Sequence, residues 1–192
     1  MRPETIGFAL CGSFCTLERS FRTLEGLRER FEHVIPIVSE SVAEEDTRFG
    51  TAEEHLRRLE QLCGHSVWKT RTQVEPIGPQ KLLDALVICP CTGNTLAKLS
   101  HGISDSAVTL AAKAHLRNSR PILLAVSSND ALGAGAENLG RLLNRKHYYF
   151  VPFYQDSPAG KPASLAADLD RLVPALEAAL DGRQLQPLLL QK

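Results

Sequence analysis

The chain has 192 residues, with 22 basic and 22 acidic side chains, no formal net charge, 43% hydrophobic residues and 23% charged ones. That length and composition describe one soluble-type domain able to bury most of its apolar surface. The balanced charge excludes the basic excess of a nucleic-acid binder, and no apolar run approaches the roughly 18 residues of a membrane helix. The five cysteines (Cys11, Cys15, Cys63, Cys89 and Cys91) are odd in number and lack the spacing of a disulfide framework. Free thiols in a reducing cytoplasm are expected. No apolar leader with a cleavage site stands at the N-terminus, so a cytoplasmic location is the expectation.

In chain order, Thr5–Cys11 reads as a first strand, followed by Gly12-Ser13. A helix is expected from about Thr16 to Phe31, because Leu17, Phe21, Leu24, Leu27 and Phe31 recur near a 3.6-residue period. Val34–Val38 is a second strand, made an edge or irregular strand by Pro36, and Ser39 closes it. Residues 42–50 read as a mobile loop. Thr51 and Glu54 then have capping-box spacing for a helix to about Cys63. Val67–Thr70 reads as a short strand, Glu75–Pro79 as a turn, and Lys81–Leu83 as a short helix.

The chain is organised around its middle, residues 85–105. Ala85–Cys89 is a buried strand, which Pro90 is expected to stop because proline has no N–H to donate. Cys91-Thr92-Gly93-Asn94-Thr95 turns the chain into a helix over Leu96–Leu99. A further helix runs over Val108–Leu116, with Asp105 or Ser106 as its cap. Ile122–Val126 is another buried strand, ending in Ser127-Ser128-Asn129-Asp130. A helix over 136–145, a last strand over Tyr148–Phe153 and a loop over Gln155–Pro162 come next. Ser164 is expected to begin a closing helix that carries Leu165, Leu169, Leu172, Val173, Leu176 and Leu180 on one face and stops at Gly182. The expected organisation is one α/β domain over 1–183, a mostly parallel doubly wound sheet in three layers, and a tail over 184–192 that frays unless it docks, for instance on a neighbouring protomer.

Four strands thus end in small polar groups: Gly12-Ser13, Ser39, Cys91–Thr95 and Ser127–Asn129. Adjacent parallel strands set such ends in one row, where hydroxyls, an amide and helix N-termini suit a phosphorylated ligand with a planar head. Each hydroxyl taken alone is also an ordinary helix cap. The G-x-G-x-x-G dinucleotide fingerprint and the P-loop are both absent. Cys89-Pro90-Cys91 is C-x-C with no second cluster, so a metal is not expected. Cys91 could be a thiol activated at a helix N-terminus, but a packed or ligand-lining cysteine is the plainer reading. His33, His55, His65, His115 and His147 are scattered and read as surface or structural residues. Among cations that could meet carboxylates (Arg48, Lys98, Lys113, Arg117 and Lys146), Arg48 is favoured because its loop is long enough to close over a site.

Pro90-Cys91-Thr92-Gly93-Asn94-Thr95 resembles the P-A-S-A-N-T motif of the homo-oligomeric flavin-containing cysteine decarboxylase family. The strings Arg48-Phe49-Gly50, Glu75–Pro79, Lys113–Asn118, Ser128–Gly133, Tyr149–Phe153, Gln155-Asp156 and Gln184–Pro187 are similar to its dipicolinate-forming branch in endospore-forming bacteria. The resemblance spans nearly the whole chain. It implies a Rossmann-like fold, trimer-based assembly and an FMN site. By that resemblance Gly12, Ser13 and Ser39 meet the FMN phosphate. Pro90, Cys91, Thr92, Asn94 and Thr95 line the flavin ring, and Ser127, Ser128 and Asn129 form the next strand end. It also implies a companion protein, the nicotinamide-binding A subunit carrying NADP, together with a cyclic dicarboxylate substrate and work in the mother cell during sporulation. Asn94 and Arg48 become the candidates for the substrate carboxylates. Two features depart from the decarboxylases. No histidine stands at Glu75–Pro79, the nearest upstream being His65, and the methionine-rich clamp is replaced by Ser127-Ser128-Asn129-Asp130-Ala131-Leu132-Gly133. A flavin-dependent decarboxylase or lyase, and a non-catalytic scaffold for the A subunit, are the competing readings.

Overall fold

The computed structural model describes residues 4–191; residues 1–3 of the expected domain and Lys192 of the expected tail lie outside them. The strand β1 (Thr5–Leu10) feeds the helix α1 (Phe14–Arg30), whose Leu17, Phe21, Leu24 and Leu27 are buried as the periodicity requires. Next come β2 (His33–Val38), the short helix α2 (Glu40–Glu44) and α3 (Ala52–Cys63). Part of the expected mobile loop is therefore helical. The capping box of α3 forms: Glu54 N–H donates to Thr51 Oγ1 at 3.2 Å and Thr51 N–H to Glu54 Oε2 at 2.8 Å. Two single turns, α4 (Arg71–Val74) and α5 (Ile77–Gln80), lead into β3 (Ala85–Cys91).

Beyond β3 lie α6 (Gly93–His101), α7 (Ala107–Leu116, capped by Ser106), β4 (Ile122–Ser128) and α8 (Ala136–Leu143). Then follow β5 (Tyr148–Phe150), β6 (Phe153–Tyr154), β7 (Leu165–Ala167), a 3₁₀ turn (Leu169–Arg171) and α9 (Leu172–Leu180). Strands β2, β1, β3, β4 and β5 pair in that order, all parallel. Past the end of β5, β4 pairs antiparallel with β7 at Ser127 and Ser128, and β7 pairs with β6.

The strands alternate their buried faces. Ile6, Phe8, Leu10, Val87, Cys89, Leu123 and Ala125 pack under α1, α3 and α9. Ala9, Cys11, Leu86, Ile88, Leu124 and Val126 pack under α6, α7 and α8. Both faces of the sheet are covered, so its strands read as unbroken apolar runs rather than alternating ones. The result is a three-layer α/β/α fold with a mostly parallel, doubly wound sheet.

Several elements depart from the sequence expectation. Pro90 does not end β3: the ladder shifts register between Ile88 and Cys91, and Pro90 sits inside that irregularity, where its missing N–H is not needed. Val67–Thr70 makes only an isolated bridge, Ile37 to Trp68, beside the edge strand β2. The expected helix at Lys81–Leu83 lies one turn earlier as α5, and Lys81, with φ 53°, ends it in the left-handed region. The last strand breaks at Val151-Pro152 into β5 and β6. The closing helix begins only at Leu172, because Leu165–Ala167 is taken by β7.

The tail docks on its own chain. Gln184 mimics a neighbouring strand: Phe150 N–H donates to its Oε1 at 2.8 Å, and its Nε2 donates to Phe150 O at 2.8 Å. Phe153 N–H donates to Leu188 O, and Leu190 N–H to Phe153 O, both at 3.0 Å. Replacing Gln184 with alanine strips both groups from the outer edge of β5. A loss of about 2 kcal/mol in unfolding free energy is expected in a denaturant titration, and no change would show that water serves that edge equally well.

His115 is fully buried in α7, with Nε2 at 3.0 Å from Pro121 O and Nδ1 without a partner among the described residues. Burial pushes its pKa down to about 4. The neutral ring is the folded form, so nothing is lost above the unfolded value near 6.5; as pH falls from there to about 4, the unfolded chain takes up a proton that the folded one refuses. Between pH 7 and pH 4 this one group removes about 3 kcal/mol of stability. A His115→Gln variant, compared by thermal melts at several pH values, should lack that component of the slope.

Candidate functional site

In an open α/β sheet ligands sit outside the carboxyl ends of the strands, where the strand order reverses. Here the reversal falls between β1 and β3. The turns Cys11-Gly12-Ser13 and Thr92-Gly93-Asn94 therefore face each other across that crevice. A cleft of about 210 Å³ opens there, lined by Gly12, Ser39, Thr92, Asn94, Thr95 and Lys98 among others. A second cleft, of about 200 Å³, lies at the ends of β1 and β4, lined by Ser13, Pro90, Ser127, Ser128 and Asn129 among others. Ten of the eleven cofactor-site residues named from the sequence line one cleft or the other. The eleventh, Cys91, is fully buried and packs in the core on the α6–α8 face.

The hydroxyls at these strand ends behave differently from one another. Thr92 caps α6, accepting from Thr95 N–H at 3.2 Å. Ser13 and Ser39 stand at helix N-cap positions but form no side-chain cap bond. Ser13 Oγ instead meets Thr16 Oγ1 at 3.1 Å and Ser127 Oγ at 3.0 Å, and Thr16 and Ser127 close the triangle at 3.1 Å. Ser39 Oγ is buried with no partner at all among the described residues. Simple capping thus explains Thr92 and leaves Ser13 and Ser39 without that explanation. An unpaired buried hydroxyl costs about 1–3 kcal/mol unless something supplies the missing bond.

Gly12 lets the β1–α1 turn lie against the β2–α2 turn, since a Cβ there would stand 3.0 Å from Ser41 Cβ. A Cβ on Gly93 would stand 2.8 Å from Ser128 Oγ, so the start of α6 approaches the end of β4 as closely as a bare backbone allows. Asn94 is exposed, lines the first cleft, and its amide makes no hydrogen bond to the described residues. Thr95 is held from behind: Thr92 Oγ1 donates to its Oγ1 at 3.1 Å, and its own hydroxyl donates to Cys11 Sγ at 3.3 Å. Lys98 reaches Asp105 at 2.9 Å, and this bond, with the lysine charge, holds the Asp105 carboxyl below its ordinary range.

No activated thiol faces either cleft from β3. Burial pushes Cys89 up to about 12 and Cys91 well above the ordinary value, and Cys11 up to about 11 even though Thr95 donates to it. Among the described residues no group of histidines, cysteines and carboxylates has the arrangement of a metal site. Arg48 is exposed on the Thr47–Gly50 hairpin, with its guanidinium 4.8 Å from the centre of the Phe49 ring, and it lines neither cleft. Two other cations, Arg19 of α1 and Lys161 of the loop before β7, line the second cleft. The sequence does not single them out, because neither belongs to a motif and each reaches the cleft only through tertiary packing.

One buried hydroxyl without a partner among the described residues, Ser39 Oγ, and the exposed Asn94 amide thus stand at the switch point of a 2-1-3-4-5 sheet, where open α/β folds place their ligands, and the chain belongs to the Flavoprotein family, whose model matches residues 1–164. It is 42% identical over 191 residues, the whole of this chain and 96% of the relative, to the B subunit of dipicolinate synthase from Bacillus subtilis (strain 168). The crystal structure of the dipicolinate synthase B subunit from Bacillus halodurans superposes with a TM-score of 0.90 at 40% identity, over 98% of this chain and 97% of that one. Burkholderia xenovorans DmrB in complex with FMN shares the fold at 20% identity and a TM-score of 0.69, over 94% of this chain and 98% of that one.

Proposed function

We propose that this chain is the flavin-binding subunit of a dipicolinate synthase and works with a nicotinamide-binding A subunit. Supporting this are the whole-length likeness to the B subunit of dipicolinate synthase and the family match. The observation that carries the flavin site is Ser39 Oγ, a buried hydroxyl left without a bond beside an uncapped α1 N-terminus and the Gly12 turn. That set fits a phosphate: backbone N–H groups, the α1 dipole and serine hydroxyls all favour anion binding.

Gly12, Ser13 and Ser39 would hold the FMN phosphate. Pro90, Thr92, Asn94 and Thr95 would flank the ring, with Cys91 supporting them from the core, and Ser127, Ser128 and Asn129 would bound it on the β4 side. A flavin there would supply the acceptor for the two hydrogens that a hydroxylated tetrahydrodipicolinate, which also loses water, gives up in becoming pyridine-2,6-dicarboxylate. The chain's own contribution is binding and orientation. Asn94, with a free amide on the cleft, is placed to donate to one substrate carboxylate. Arg48, outside both clefts of its own protomer, could meet a carboxylate only across a contact between protomers. Assembly as a homo-oligomer and NADP on the A subunit belong to the same proposal.

The test is dipicolinate formation by the purified chain mixed with the A subunit, followed at the pyridine absorbance with and without added FMN. Formation that needs both chains and rises with FMN supports the reading. Full activity of the A subunit alone would make this chain a scaffold, and release of CO2 from a cysteinyl peptide would make it a decarboxylase.

A further inference from the structure

The second cleft is built differently from the first. Its apolar lining includes Pro90, Ala125, Val126, Ala166 and Ala167. On one side stands the Ser13–Thr16–Ser127 hydroxyl triangle. Two cations from separate elements, Arg19 and Lys161, line it together with a single carboxylate, Asp156. Arg19 makes no ion pair among the described residues, although it sits on a helix rich in neighbouring charge. Lys161 reaches Asp156 only at 4.0 Å, and Asp156 is already bonded by the Ser164 hydroxyl. A lysine held this loosely beside an arginine with no ion-pair partner leaves the cleft one positive charge in excess.

The geometry points to this cleft as the site that holds a small planar dianion, a ring carrying two carboxylates, with Arg19 and Lys161 each neutralising one. This inference rests on the dipicolinate-forming function proposed for the chain and names where its substrate sits. The small apolar lining residues leave a ring room to lie, and with Ser13 given to the flavin phosphate the Thr16 and Ser127 hydroxyls can turn their O–H groups toward carboxylate oxygens. A hydrogen-bonded charge pair is the contact that separates a dicarboxylate from a monocarboxylate. The cleft shares Ser13, Pro90, Ser127, Ser128 and Asn129 with the proposed flavin site, so a ring held by Arg19 and Lys161 would lie beside the flavin. Both carboxylates are thereby assigned to Arg19 and Lys161 within one protomer, in place of Arg48 and of the Asn94 amide in the first cleft.

The experiment is calorimetric titration of the full chain, saturated with FMN where it binds, with pyridine-2,6-dicarboxylate in metal-free buffer. Pyridine-2-carboxylate and inorganic phosphate serve as comparison probes. The variants are Arg19→Ala, Lys161→Ala, Arg19→Lys and Lys161→Arg, each checked for an unchanged melting temperature. The expected result is dicarboxylate binding that weakens tenfold or more in each alanine variant and recovers in part in the conservative ones. The preference over the monocarboxylate should shrink in both alanine variants, while FMN affinity stays as in the parent chain. Dicarboxylate affinity untouched by either alanine change would overturn the clamp while leaving the flavin reading intact. So would equal affinity for the monocarboxylate or for phosphate, or no dicarboxylate binding at all in a chain that does bind FMN.

Discussion

Ser39→Ala will weaken FMN binding about 10- to 100-fold while leaving the melting temperature of the flavin-free chain unchanged or slightly raised. The two halves of this result have one cause. In the structure Ser39 Oγ is buried and bonds to nothing among the described residues, and α2 draws no side-chain cap from it. Removing the hydroxyl therefore removes no bond and relieves a desolvated polar atom. The backbone link that positions it, Ser39 N–H to Leu10 O at 3.0 Å, remains. With a phosphate present, the same hydroxyl becomes a donor to a charged acceptor, a contact worth about 1.5–3 kcal/mol. That energy sets the range of affinity loss. The measurement is quenching of FMN fluorescence on parent and variant, beside thermal melts without ligand. A destabilised variant with normal FMN affinity would make Ser39 a structural residue.

Phe153→Ala carries the largest stability effect among the core changes, about 3–5 kcal/mol. Its ring is 2% exposed and meets Phe150 edge-on with centroids 6.4 Å apart. Its backbone is bonded to the tail through Leu188 and Leu190, and β6 pairs with β7 on the other side. Because β7 in turn pairs with Ser127 and Ser128 at the end of β4, a cavity here loosens the ribbon that borders the second cleft. A drop of roughly 6–20 °C in melting temperature is expected for a chain of this length. Denaturant unfolding that shows a loss below about 1 kcal/mol would mean the tail leucines collapse into the space.

The row of polar strand ends is legible in the amino-acid sequence alone. Buried apolar runs mark parallel strands, and parallel strands bring their carboxyl ends to one edge, so Gly12-Ser13, Ser39, Thr92–Thr95 and Ser127–Asn129 have to converge. The helix cap at Thr51 is legible too, and that of α7 to within two neighbours, Asp105 or Ser106, of which the structure uses Ser106, because capping is local chemistry. Other features depend on contacts between distant segments. Leu165 to Leu180 fits a helical period, yet Leu165–Ala167 pairs with β4 and β6, and sheet pairing overrides the local pattern. Pro90 has the chemistry of a strand stop, but the register shift in β3 gives it a place where no N–H is required. Arg19 and Lys161 carry no motif. Only the packing of α1 against the end of β4, with the loop before β7 alongside, makes a cleft of them. Which serines cap and which stay free is not written in the residue types, since it depends on side-chain partners that only the folded chain brings together.

The most direct measurement is the visible absorbance spectrum of the purified chain, followed by titration with FMN. Binding that is tight and saturable at one flavin per chain, and weakened in Ser39→Ala, is the predicted result. A chain that binds no flavin, alone or with the A subunit present, would contradict the flavin site and leave oxidation to the nicotinamide of the partner.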